Sequence, residues 1–225
     1  LNLGGGKAVI IGDARTMKSE ALFKRFGKFV NSLAGKYITA EDVGISPIDM
    51  TYVSMETDHV VGLPGKSGDP SPVTAYGVYV GMKASAKIQF GSDSLAGKKI
   101  AVQGVGHVGE YLLESLAKEG AEIYITDIHE ATLKRVSEKF NAKVVGLDDI
   151  YDIDMDIYAP CALGATINDS TLSRLKCSII AGAANNQLQN EDTHGRAVME
   201  KGIIYAPDFA LNAGGVINCY SEVKG

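Results

Sequence analysis

Gly104-Val-Gly106-His-Val-Gly109 stands between a β-branched run at 98–103 and a stretch with Val108, Leu112 and Leu116 at helical spacing. Three glycines in a G-x-G-x-x-G pattern, after a strand and opening a helix, suit one chemistry: cradling the pyrophosphate of a dinucleotide. Gly104 permits a tight turn, Gly106 lets backbone approach the phosphates, and Gly109 lets helix and strand pack closely. Val105, His107 and Val108 complete the loop, and the helix N-terminus they open favours negative charge. Asp127 ends the next strand-like run, 18 residues past Gly109, where it can accept hydrogen bonds from the adenosine ribose. Its carboxylate would repel a 2′-phosphate, and no Arg stands immediately beside it, so NAD is expected rather than NADP. His107 is read as a solvent-facing neighbour of the phosphates rather than a catalyst.

Such a domain brings hydride transfer, and groups that act on a substrate must come from elsewhere in the chain. Two candidates precede it. Lys7 follows Gly4-Gly5-Gly6, and Asp42 lies in Thr-Ala-Glu-Asp-Val-Gly, at the end of a strand-like run. Each has a plainer reading. Lys7 suits the surface of an edge strand, and Asp42 suits a turn. The residues alone leave both open.

These groups need elements to hold them. From 98 onward, strand-like and helix-like segments trade places every ten to fifteen residues, the signature of βαβ units with helices on both faces of a parallel sheet. The fold class expected is α/β: a doubly wound (Rossmann) domain over 63–225, with a partial α/β substrate domain over 1–62. In that first lobe, 7–13 and 36–44 read as strands and 19–33 as an amphipathic helix. Residues 62–72 are dense in Gly, Pro and Ser, and Pro72 is well placed to open a helix over 72–88. The first lobe reads as cut at its N-terminus and the second at its C-terminus, since Leu1 stands directly before the glycines and a helical pattern stops at Gly225.

Composition excludes several classes. The 225 residues carry a net charge of −5, which argues against nucleic acid as a partner. No run approaches about 18 apolar residues, so no membrane helix is expected. Three cysteines, Cys161, Cys177 and Cys219, are widely spaced and odd in number. They read as reduced thiols in a cytoplasmic protein, with neither a disulfide frame nor a metal site. Cys161 reads as a small packed residue, because no His–acid pair lies near it in sequence.

Six segments, "LNLGGGK", "TAEDVG", "SPVTAYGVYVGMKA", "APCALGATIND", "GAANNQL" and "APDFALNAGGVIN", recur in order. Together they resemble the family of glutamate, leucine, phenylalanine and valine dehydrogenases, over essentially the whole chain and nearest its leucine-acting members. The resemblance implies reversible NAD-dependent oxidative deamination of an amino acid by a symmetric homo-oligomer. It places the catalytic lysine on Lys7 and the catalytic aspartate on Asp42. It puts Thr74 near the nicotinamide and Asn185 at the nicotinamide ribose or the substrate, although a loop-capping Asn is an equal reading of Asn185. A further lysine that grips the substrate carboxylate would precede Leu1.

The chemistry suits these residue types. An ordinary lysine, near pKa 10.4, is a poor base at pH 7, and burial beside a second cation is expected to lower it. Lys7 could then polarise a carbonyl and activate water, while Asp42 moves protons at nitrogen. By the same correspondence Ala40, Val216 and Cys219 line the side-chain pocket. Where glutamate-specific members carry a serine, Cys219 offers a thiol, a weaker donor. None of the three is cationic, so a second carboxylate is disfavoured and leucine, valine or isoleucine is expected. Phenylalanine is the second choice. The rival from another class is a non-catalytic NAD-binding sensor, which would need neither Lys7 nor Asp42.

Overall fold

Strand residues alternate in the faces they bury. Ile100 and Val102, Ile157 and Ala159, and Ile179 belong to one apolar cluster, whereas Ala101, Tyr158 and Ile180 belong to another. Alternation with both faces buried is what a sheet covered by helices on each side requires. The computed structural model describes residues 3–224. It divides the chain into two compact units, one of residues 3–70 and 215–224, the other of Ser71–Gly214. The sequence reading draws a single boundary at 62/63. In the structure the chain passes between units twice, at 70/71 and at 214/215.

The larger unit is built on six parallel strands: β1 (Lys99–Gln103), β2 (Glu122–Thr126), β3 (Lys143–Val144), β4 (Ile157–Pro160), β5 (Ile179–Ile180) and β6 (Ile204–Tyr205). Their order is β3-β2-β1-β4-β5-β6, the doubly wound order. Register runs Ile100 opposite Ile123 and Ile157, so the most apolar strands sit centrally. Helices α3 (Ser71–Phe90), α4 (His107–Glu119), α5 (Glu130–Phe140), α6 (Asp169–Leu172), α7 (Glu191–Glu200) and α8 (Asp208–Leu211) complete it. From α4, Leu112, Leu113 and Leu116 are fully buried in the first cluster, beside Val78 and Met82 of α3. Gly120, at φ +79°, ends α4 in the left-handed conformation that glycine adopts most readily.

Two glycines of α3 admit α8. A Cβ on Gly77 would lie 2.6 Å from the Leu211 carbonyl oxygen, and one on Gly81 would lie 2.7 Å from Leu211 Cγ. The ends of this unit also meet. A Cβ on Gly214 would lie 2.3 Å from the Val73 carbonyl oxygen, so residues 73 and 214 are in contact.

The smaller unit holds α1 (Glu20–Ser32) and α2 (Pro47–Ser54), and it takes in α9 (Gly214–Lys224) from residue 215 on. Ser19 caps α1, accepting from the Leu22 amide. Ser46 and Asp49 form a capping box on α2, with Pro47 in its first turn. Phe23, Met50, Val53 and Val60 form the core. The helices cross closely because Gly27 has no side chain, since a Cβ there would lie 2.7 Å from the Val53 carbonyl oxygen.

The two strands expected here differ. Residues 7–13 form none, and Val9 and Ile11 are 77% and 94% exposed. Among the described residues no strand runs beside them, and a β-branched run without a partner has no ladder to join. The 36–44 segment is reduced to a parallel bridge between Thr39 and Val60. Among the described residues no helix is long and apolar enough to cross a membrane.

Gly77→Ala tests the α3–α8 contact. Alanine should gain about 1 kcal/mol of helix propensity. The clash is with backbone, which cannot rotate away, and overpacking of this kind costs about 1–3 kcal/mol. A net loss of stability is expected on urea denaturation. An unchanged or higher midpoint would show that the helices can yield.

Candidate functional site

In the larger unit the glycine loop leaves β1 at its carboxyl end. Gly104 adopts φ +97°, and a Cβ there would lie 2.7 Å from the Ala162 amide nitrogen. Its own N–H donates to the Thr126 carbonyl at 2.8 Å, tying the loop to the end of β2. Gly106 precedes α4, is exposed and has open space where a side chain would be. At Gly109 a Cβ would fall 2.2 Å from the Gly104 carbonyl oxygen. The loop therefore turns tightly, keeps an open face at Gly106 and lets α4 close onto β1. His107 is exposed and opens α4, while Val105 is buried and Val108 half-buried.

Asp127 reaches this loop directly. One carboxylate oxygen accepts from the Val105 amide at 2.8 Å and the other from the His129 amide at 2.8 Å. A carboxylate offers about four lone-pair positions, so these two bonds leave capacity for sugar hydroxyls. Below the loop, Gln103 accepts from the Tyr158 hydroxyl and donates from Nε2 to the Tyr151 hydroxyl at 2.8 Å. The open cradle and its carboxylate fit a dinucleotide.

Glu110, in the first turn of α4, would oppose an incoming phosphate if it stood alone. Instead Arg135 of α5 binds it through both guanidinium nitrogens, at 2.8 and 2.7 Å, and Lys139 adds a contact at 2.9 Å. The Arg135 pair, outweighing the cost of burial, holds the Glu110 carboxyl down at about 2.

Asn185 follows β5 on an exposed turn, and its Oδ1 accepts from Asn212 Nδ2 at 2.5 Å. Sequence reasoning missed the residues that shape this turn. Asn212 also donates to the Ala183 carbonyl at 3.1 Å, buried Gln187 donates to the Gly182 and Ala184 carbonyls, and Asp208 accepts from the Asn186 amide at 2.5 Å. Only the "GAANNQL" and "APDFALNAGG" segments themselves hinted at them. Thr74 lies half-buried in the first turn of α3.

In the smaller unit Lys7 and Asp42, 35 positions apart in sequence, form an ion pair. Their side chains are 69% and 51% exposed, so the expected burial of Lys7 beside a second cation is not what the structure shows. Lys7 also borders a pocket of about 410 Å3 whose lining includes Gly6, Phe26, Phe29, Leu33 and Tyr37. Asp42 opens a turn, its carbonyl accepting from the Ile45 amide at 2.9 Å. Ala40 is half-buried one residue past the Thr39 bridge. On α9, Val216 is exposed and Cys219 half-buried, its thiol pushed up by burial and then by the carboxylates of Glu222 and Glu41.

Residues 65–129 and 124–225 match the family model "Glutamate/Leucine/Phenylalanine/Valine dehydrogenase", and residues 1–59 match "Glu/Leu/Phe/Val dehydrogenase, dimerisation domain". The chain belongs to this family. It is 58% identical to a leucine dehydrogenase of Bacillus subtilis, covering 100% of this chain and 62% of that protein. It is 46% identical to an L-tryptophan dehydrogenase of Nostoc punctiforme, covering 99% and 63%. The chain therefore spans less than two thirds of these relatives. Among solved structures, the Nostoc punctiforme L-tryptophan dehydrogenase superposes with a TM-score of 0.78 at 44% identity, over 100% of this chain and 65% of that one. A hetero-hexameric glutamate dehydrogenase of Thermus thermophilus, at 18% identity and a TM-score of 0.75 over 93% and 57%, shares the fold.

The Glu110 cluster predicts an acid-limb effect. A carboxyl depressed in the folded state contributes stability that is present above its unfolded value, 4.5, and lost as pH falls towards about 2. Glu110→Gln should therefore lower Tm at neutral pH, with the difference from the unaltered protein closing by about pH 2. A difference independent of pH in calorimetry would reject the ion pair as its source.

Proposed function

We propose that this chain carries the cofactor loop and catalytic pair of an NAD-dependent amino-acid dehydrogenase. Its reaction is the reversible oxidative deamination of leucine, valine and isoleucine to 2-oxo acids and ammonia. The observation that carries this reading is the pairing of Lys7 with Asp42, in a chain that also holds the complete glycine loop with Asp127. The 58% identity to a leucine dehydrogenase supports the substrate class.

Bound at the loop, NAD supplies the hydride acceptor. Gly104, Val105, Gly106, His107, Val108 and Gly109 would hold its pyrophosphate, Asp127 its adenosine ribose and Thr74 its nicotinamide end, with Asn185 at the nicotinamide ribose or the substrate. Lys7 polarises the developing carbonyl and activates water at the substrate Cα. Asp42 takes and returns the proton at the substrate nitrogen, and its charge stabilises the iminium. The glycines before Lys7 let substrate lie close to the backbone. A substrate that inserts between the two side chains meets one donor and one acceptor.

Ala40, Val216 and Cys219 offer a second carboxylate no cation, and each methylene of an aliphatic chain buried there contributes about 0.8 kcal/mol. Leucine, valine and isoleucine therefore rank first and glutamate last. An aromatic side chain is the second reading, favoured by the 46% identity to a tryptophan-acting relative. Free Cys161, Cys177 and Cys219 are consistent with a cytoplasmic protein.

With full-length protein, leucine and NAD should generate NADH absorbance at 340 nm, and NAD should outperform NADP because of Asp127. Lys7→Ala should lower turnover by several orders of magnitude, roughly 100- to 10,000-fold for loss of one acid–base group, with NAD binding retained. Turnover retained in that variant sinks the assignment of Lys7, and equal use of both cofactors sinks that of Asp127. No NADH from any amino acid favours a sensor.

Assembly into a symmetric homo-oligomer is supported by the dimerisation-domain match over residues 1–59. Light scattering of the full-length protein should give a multiple of the subunit mass, and a monomer mass would contradict this.

A further inference from the structure

Glu222 has no part in the reaction proposed above, yet its side chain is 8% exposed and one of its carboxylate oxygens gathers three donors. Its Oε2 accepts the Gly62 amide at 2.9 Å, the Ser67 amide at 3.3 Å and the Ser67 hydroxyl. Lys66 stands 3.8 Å from Oε1. One turn earlier on the same helix, Asn218 Nδ2 donates to the Ser67 carbonyl at 3.1 Å. The loop is shaped to receive this grip. Gly62 adopts φ +82°, where a side chain would be strained, and its N–H is shared between Glu222 and the Ser67 hydroxyl at 3.2 Å. Burial alone would raise the carboxyl's pKa. The Ser67 hydroxyl, the two amides and Lys66 outweigh it and hold Glu222 below the usual carboxylate range, so it is ionised near neutrality.

Helix geometry connects this grip to the pocket. At about 100° per residue, Asn218 and Glu222 lie about 40° apart around α9, and Val216 and Cys219 lie about 60° apart on the adjoining face. A helix held along one edge by two side chains cannot roll. We propose that Glu222 is a positioning residue for substrate selection: by clamping α9 to the 62–67 loop it fixes the rotation of that helix, and so the direction in which Val216 and Cys219 face the substrate side chain. This rests on the reading that those two residues line the pocket. An apolar residue at 222 could bury the same helix face, but it could not single out one rotation by accepting three donors from one loop.

The test uses full-length protein with two substitutions that act from opposite sides. Glu222→Gln removes the charge from the helix, and Ser67→Ala removes one donor from the loop without touching α9. A misplacement of about 1 Å at a reacting group can cost roughly 100-fold. Glu222→Gln should therefore lower kcat/KM for leucine by about tenfold or more and bring the leucine-to-valine ratio towards unity, while leaving KM for NAD unchanged. Ser67→Ala should move the same ratio in the same direction by less. Amide hydrogen exchange at Gly62 and Ser67 should accelerate in both.

If exchange accelerates but the leucine-to-valine ratio and leucine KM stay within about twofold, Glu222 is only structural and the proposal fails. If exchange is unchanged in both variants, the clamp itself is refuted. If the unaltered protein turns over no amino acid, the proposed function fails first. The exchange result then still judges the clamp, and its role in selection falls with the function.

Discussion

Between α4 and the end of β1 there is no room for a side-chain carbon. Gly109 lies so close to the Gly104 carbonyl that a Cβ would sit 2.2 Å from it. That contact sets how far the helix can descend onto the strand, and with it where the first free amides of α4 point. The left-handed turn at Gly104, the tie from its amide to Thr126 and the two bonds from Asp127 are all built around the same approach. The apolar layers support it from beneath. Val105, Leu112 and Leu116 bury what the glycines bring together.

Charge is arranged so that this geometry stays usable. An acidic side chain in the first turn favours the helix dipole but competes with any anion arriving there. Glu110 keeps the first property, and Arg135 and Lys139 cancel much of the second. In the smaller unit the logic is reversed. Lys7 and Asp42 are left exposed to each other and to solvent, so their pairing costs little to break. One cluster pairs its carboxylate with two cations, and the other is open to exchange of partners.

The doubly wound sheet was readable in sequence because its signals are local: β-branched runs, helical spacing, and glycines at the turns between them. The tight glycine turn between β1 and α4 was readable for the same reason. The pairing of Lys7 with Asp42 was not, since each alone suits a bland surface role and 35 positions separate them. The strand expected at 7–13 failed because propensity says nothing about whether a neighbour is present to pair with. Helix α2 had a legible start in Ser46-Pro47 with Asp49, but eight residues make a weak periodic signal. Gln187, Asp208, Asn212 and Glu222 were illegible because each has at least one backbone partner brought near by the fold, and nothing about a single Gln or Glu announces such a partner.

The smaller unit is discontinuous in sequence, and this governs the order in which it can be completed. Its bond between Gly62 and Glu222 spans a long intervening segment. Closing so long a flexible loop would cost about 4–5 kcal/mol in chain entropy. The intervening chain is not flexible once folded. Residues 71–214 form a contiguous unit whose own ends meet, with Gly214 against the Val73 carbonyl. Folding of that insert delivers residue 215 back to the neighbourhood of residue 70, so most of the loop closure is already complete before α9 docks. On the ribosome, residues 215–224 emerge only after the whole insert has been made. Maturation of the lobe that carries Lys7 and Asp42 is therefore the last folding step for the described residues, and it depends on an insert that can form its own core first.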